Sequence, residues 1–199
     1  MVATVVPVAN TVTACIHLYE SLVHGDMLKP ISITKVKDGL YDIHVFPQQA
    51  KDKLMYADRK DYIRVKGEPK QINPMDKPAG IIAVLGAGNY SSSLEMIKAM
   101  FLENCAVVHK PHHLNEATDK VWAKIMKPLT DIGALSFCDA DQGRDLTKDE
   151  RLYKIYFTGG SGTAQAIMNA TDTEVVSECG GNNPCIIVPG DKPWSQKEL

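Results

Sequence analysis

The chain has no apolar run approaching the roughly 20 residues needed to cross a bilayer, and its first two dozen residues contain neither Lys nor Arg. The first absence argues against a membrane span. The second denies a secretory or transit leader its positive charges, so the expected location is cytoplasmic. Paired C-x-x-C spacings are also missing: Cys15, Cys105, Cys138, Cys179 and Cys185 are scattered and odd in number. This argues against a disulfide framework or a zinc site. The formal net charge of −2 comes with no basic cluster, which leaves no electrostatic footprint for nucleic acid. Internal repeats and low-complexity tracts are absent as well. What remains is a 199-residue chain, 44% hydrophobic and 23% charged, able to bury the core of one large unit.

Along that chain, Val12, Cys15, Ile16, Tyr19, Leu22 and Val23 recur at helical spacing up to Gly25, which predicts an amphipathic helix. Ile31, Ile33, Lys35 and Lys37, then Asp38-Gly39, then Tyr41, Ile43 and Val45 read as a hairpin about an Asp-Gly turn. Residues 47–78 are polar and dotted with proline, and read as a connecting region. From Gly80 onward, short apolar runs alternate with helical stretches, the pattern of a parallel sheet with crossover helices. Strands are expected at Ile81 to Leu85, Ala106 to His109, Leu135 to Cys138, Ile155 to Phe157, Glu174 to Ser177 and Ile186 to Val188. Ser92 and Glu95 have capping-box spacing, and Asn115 stands where it can cap a helix that stops at Gly133. The charged stretch 142–151 reads as a solvated surface loop. The expected fold is therefore α/β. A Rossmann-like parallel sheet occupies residues 79–199, preceded by a helix, hairpin and connecting region in residues 1–78 packed on the same unit.

Several turns in the second half carry chemistry. Gly86-Ala87-Gly88-Asn89-Tyr90-Ser91 follows a strand and precedes a helix, where G-x-G-x-x-G dinucleotide loops sit, with Ser91 in place of the third glycine. The next strand ends in His109-Lys110-Pro111 rather than in an acidic residue. Tyr156-Phe157-Thr158-Gly159-Gly160-Ser161-Gly162 is a glycine-rich strand end leading into a helix, a place for main-chain amides to take a pyrophosphate. Ser177-Glu178-Cys179-Gly180-Gly181-Asn182-Asn183-Pro184 puts a carboxylate at an apolar strand end, where partial desolvation would raise its pKa towards that of a general base.

Taken in order, these motifs resemble the cofactor-binding half of the aldehyde dehydrogenase superfamily, over residues 80–189, and within it a divergent aldehyde-dehydrogenase-like branch. The resemblance implies NAD or NADP as cofactor and an aldehyde as substrate. It implies that Asn89 helps hold the oxyanion of a thiohemiacetal through a neutral donor, and that Glu178 activates the hydrolytic water. It further implies that Lys110 contacts the adenosine ribose and that Thr158, Gly159, Gly160 and Ser161 take the pyrophosphate, with Gly160 replacing the family's usual serine. His113 stands where the family often has a ribose-binding glutamate. A protonated imidazole there would accommodate a 2′-phosphate that glutamate repels. Asn182 replaces a common lysine.

The family's nucleophilic cysteine lies a few dozen residues beyond the glutamate, past Leu199. Cys179 and Cys185 sit in or beside strands, with nothing electropositive nearby to activate a thiolate. The segment alone is therefore expected to be inactive, with a C-terminal part supplying the cysteine and a homo-oligomer formed by the full-length protein. Two alternatives stay open: an acyl-CoA-linked reductase on the same fold, and a non-catalytic binding or assembly subunit.

Overall fold

The structure is a computed structural model, and it describes residues 2–88, 92–181, Pro184, Ile186 and Ser195. The chain opens with helix α1 (Val2–Val23), which contains Pro7 and stops before Gly25 at a φ of 80°. No helix among the described residues is long and apolar enough to cross a membrane. Tyr19 fixes α1 to the rest of the chain: its hydroxyl donates to the carbonyl of Phe101 at 3.0 Å, and the two rings meet edge to face at 5.9 Å.

The hairpin forms as the Asp-Gly signal predicts. Strands β1 (Ser32–Lys35) and β2 (Leu40–Phe46) pair antiparallel, with Asp38 and Gly39 both at positive φ, 60° and 71°. Residues 47–78 depart from the expected connecting region. They contain helix α2 (Ala50–Met55) and strand β3 (Asp61–Lys66), which adds to β2 and completes a three-stranded sheet. The strand was hidden because its apolar side chains stay half exposed and alternate with charges: Asp42 and Arg64 pair across β2 and β3 at 2.6 Å, and Ile43 faces Ile63.

The second half is a parallel sheet of five strands in the order β6-β5-β4-β7-β8. In chain order these are β4 (Gly80–Leu85), β5 (Cys105–Lys110), β6 (Leu135–Phe137), β7 (Leu152–Gly159) and β8 (Glu174–Cys179). Between them run α3 (Ser93–Phe101), α4 (Glu116–Ile125), α5 (Lys127–Asp131), α6 (Gly143–Leu146) and α7 (Ser161–Met168). Both faces are covered, so the strands read as continuous apolar runs. Within β4 the side chains alternate: Ile82 and Val84 pack with Met96, Ile97 and Trp122 on one face, while Ala83 and Leu85 pack with Ile155, Ala164 and Ile167 on the other. Gly80 is required at the start of β4, since a Cβ there would stand 2.7 Å from the Cβ of Tyr153.

Three local expectations change. The helix expected to run from Asn115 to Gly133 breaks at Met126 into α4 and α5, because Pro128 lies in the first turn of α5 and has no N–H for an uninterrupted ladder. Gly133 does end the pair, at a φ of 74°. Ser92 starts α3 without a side-chain cap bond, so the capping box is not made. The charged stretch 142–151 contains the short helix α6. Of the strand expected at Ile186 to Val188, Ile186 is exposed and in no strand, while residues 187–188 and Cys185 lie outside the described residues.

Candidate active site

In the order β6-β5-β4-β7-β8 the connections run outward from β4 in both directions, so the crevice between the C-terminal ends of β4 and β7 is the topological switch point. Ligands of open α/β sheets bind at such a point. The two glycine turns flank it: residues 86–88 follow β4, and residues 158–161 join β7 to α7.

The β4 turn is glycine-rich because it lies against the segment after β5. A Cβ on Gly86 would stand 3.1 Å from Cε1 of His109, and one on Gly88 3.1 Å from the His112 ring. The main chain is stitched there as well. Gly86 N donates to Lys110 O at 2.8 Å, and the side-chain amide of Asn115 donates to Ala87 O at 2.6 Å. Asn115 therefore ties down this turn, and makes no side-chain cap to the helix it precedes. Asn89, the expected oxyanion donor, lies outside the described residues.

At the β7 turn, Gly159 is the last strand residue, and a Cβ on it would come within 2.6 Å of the Phe157 ring. Any larger residue there would have to displace that ring. Gly160 and Ser161 are exposed, and nothing approaches within 4 Å of a Cβ built on Gly160. Thr158 is partly buried and lies level with Glu178 on the neighbouring β8. Both line a cavity of about 270 Å³ closed by α1 and α3, which contribute Thr11, Glu95 and Lys98. Glu178 itself is exposed, in contrast to the partial desolvation expected at an apolar strand end. The reason is that β8 is the last strand of the sheet among the described residues, with one side uncovered.

Lys110 and His113 stand apart from that cavity. The β4 strand separates Lys110, on β5, from the β7 turn, so these two strand ends are not adjacent. The Lys110 stem reaches the other way, towards the loop after β6: a Cβ on Gly143 would stand 3.2 Å from its Cδ. Burial pushes the Lys110 ammonium below the usual lysine range. His113 is exposed in a 3₁₀ turn before α4, its ring 4.1 Å from that of His112. It lines a second cavity of about 740 Å³ together with Glu116, Asp119, Lys120, Asp139 and Asp141. Four carboxylates around one imidazole and one ammonium weaken the case for a 2′-phosphate at His113.

Sequence reading missed a buried pair behind this site. His109, 1% exposed, donates from Nδ1 to Val84 O at 2.9 Å, and its Nε2 lies 2.8 Å from Oδ2 of Asp119, 6% exposed. The ring also meets Phe137 edge to face. One side chain thus ties β4, β5, β6 and α4 together under the Gly86 turn. Its sequence signal was the polar residue interrupting an apolar strand, with an Asp on the following helix. Among the cysteines, Cys15 and Cys105 are buried, and burial holds the partly buried Cys138 thiol above the usual range. None of the three is placed as a reactive thiolate.

The doubly wound sheet, with glycine turns on either side of its switch point, defines a nucleotide-binding class of α/β fold. Residues 27–192 match the aldehyde dehydrogenase family, and the chain belongs to that family. An aldehyde dehydrogenase of Craterostigma plantagineum is 30% identical over 126 residues, covering 60% of this chain and 26% of that protein. Aldehyde dehydrogenase family 3 member A2 of Macaca fascicularis is 31% identical over 119 residues, covering 56% and 24%. The chain therefore spans about a quarter of the length of these relatives. Among solved structures, aldehyde dehydrogenase 21 of Physcomitrella patens, in complex with its product succinate, shares the fold at a TM-score of 0.55. It is 19% identical, and the match covers 89% of this chain and 32% of that one.

Proposed function

We propose that this chain is the cofactor-binding portion of an aldehyde-dehydrogenase-like oxidoreductase, one that oxidises an aldehyde to an acid with NAD or NADP. The observation that carries this reading is the pairing of the two turns at the switch point with Glu178 level with Thr158 in one cavity. In this reading the open start of α7 takes the pyrophosphate through main-chain amides and Ser161. Gly160 leaves room for close approach. Lys110, on the β5 side of β4 with its stem towards the loop after β6, takes the adenosine ribose, and Asn89 supplies the oxyanion donor. Glu178 takes a proton from the water that attacks a thioester, and its exposed position leaves it open to that water. The bound nicotinamide would supply the hydride acceptor, and the nucleophilic cysteine comes from outside the described residues.

Calorimetric titration with NAD⁺ and NADP⁺ tests the assignment, using Ser161→Glu as the variant. Ser161 is exposed, so the change leaves the core alone. A carboxylate at the helix start repels the pyrophosphate, and affinity should fall at least tenfold, about 1.4 kcal/mol. Equal affinity in the two proteins, or no heat from the folded wild type, overturns the site.

A further inference from the structure

Glu95 lies in the first turn of α3, and its Oε2 is buried with no hydrogen-bond partner. A buried oxygen without a donor carries its desolvation cost with no return, so such an atom marks a missing partner. Glu95 lines the cavity of about 270 Å³ that Glu178 also lines, and Leu94, Leu102, Phe157 and Val176 give that cavity apolar walls. The chain's own cations do not answer the orphaned oxygen. Lys98, one helical turn further along α3, is exposed and holds its ammonium 4.9 Å from the centre of the Tyr156 ring, and Oε2 receives nothing from it. His109 is committed to Asp119. A carboxylate withdrawn from water is best matched by a charged donor, whose hydrogen bond is roughly twice as strong as a neutral one.

We propose that this cavity takes aldehydes that carry an ammonium group on a short aliphatic chain, the ammonium donating to Glu95 and the methylenes lying against the apolar walls. The inference rests on the reading of Glu178 as the base, which puts the aldehyde end of the ligand at β8 and leaves its other end for α3. Glu95 then sets specificity and takes no part in the chemistry. An uncharged aldehyde of the same length fills the walls equally well but leaves the Glu95 oxygen without a donor. A site built around a buried polar group rejects the analogue that lacks the matching group far more strongly than apolar walls reject a change of shape. Burial is the largest cause holding the Glu95 carboxyl above the usual glutamate range. An ammonium at Oε2 offsets that burial and favours the ionised form.

The test is an NMR titration of the whole chain with aminobutanol and, as its uncharged counterpart, pentanol, read at the Glu95 side-chain carboxyl and the amides of α3. The alcohol end stands in for the aldehyde, so no nucleophile is required. Aminobutanol should bind at least about tenfold more tightly than pentanol, with its largest shifts at Glu95. Glu95→Gln should abolish the preference, and Glu95→Asp should retain part of it, with amide spectra verifying the fold. The comparison of the two probes in the wild type stands without any variant. Equal affinities there, no binding of aminobutanol, a preference that survives in Glu95→Gln, or shifts centred on the exposed Asp139 and Asp141 overturn the proposal. Calorimetric titration of the same chain with NAD⁺ and NADP⁺ separates the two ideas. Heat from a dinucleotide without an amine preference removes the substrate class and keeps the cofactor site. An amine preference at Glu95 without that heat supports the ammonium site and removes the oxidoreductase reading on which its role rests.

Discussion

In the five-stranded sheet Ile82, Val84, Val107 and Ile155 are at most 1% exposed, whereas in the three-stranded sheet Ile33 is 51% and Ile63 is 53% exposed. The same residue type therefore has different weight in the two regions. A strand covered on both faces is held by burial, worth roughly 25 cal/mol per Å² of apolar surface. A strand of the small sheet is held by main-chain pairing and by surface pairs such as Asp42 with Arg64, which contribute little individually. The large sheet sets the fold and carries both glycine turns. The small one has no comparable core of its own among the described residues.

The contrast breaks first at the buried pair under the Gly86 turn. Asp119→Ala leaves His109 facing an unfilled acceptor position inside the sheet, and should cost about 3–5 kcal/mol in urea unfolding. A loss under 1 kcal/mol would mean that the pair does not tie the strands. Next come matched deletions: Ile82→Ala should cost about 2–5 kcal/mol, and Ile63→Ala about 1 kcal/mol or less. Equal losses would remove the distinction between the sheets.

Those two regions also explain what the sequence revealed. The strands of the parallel sheet announced themselves because burial on both faces demands uninterrupted apolar residues, as in Ile81 to Leu85. The hairpin was legible from Asp38-Gly39, since two positive φ angles suit few other residue pairs. By contrast, β3 was invisible, because a half-exposed strand such as Asp61–Lys66 tolerates Asp, Arg and Lys. At the candidate site, motif spacing identified the turns but not how β4 divides them. Nor could it reveal Glu95, whose capping-box spacing gave it a bland role. The His109–Asp119 contact required knowledge of which helix covers which strand.

A smaller effect sharpens the comparison through pH. Burial holds the Tyr156 hydroxyl up to about 12, so it stays neutral where an unfolded tyrosine, near 10, ionises. This raised value contributes stability that is complete below pH 10 and lost as pH rises from 10 towards about 12. Tyr156→Phe should leave stability near pH 7 almost unchanged and flatten that alkaline decline. A decline of equal steepness in the variant would assign it to other groups.

The most direct measurement is an amide NMR titration of the chain with NAD⁺ and NADP⁺. The largest shifts should fall on residues 158–161 and on Gly86 and Lys110, at the strand ends around the switch point, while β1, β2 and β3 stay unmoved. Shifts centred on the three-stranded sheet, or none at saturating concentrations of either dinucleotide, would contradict it.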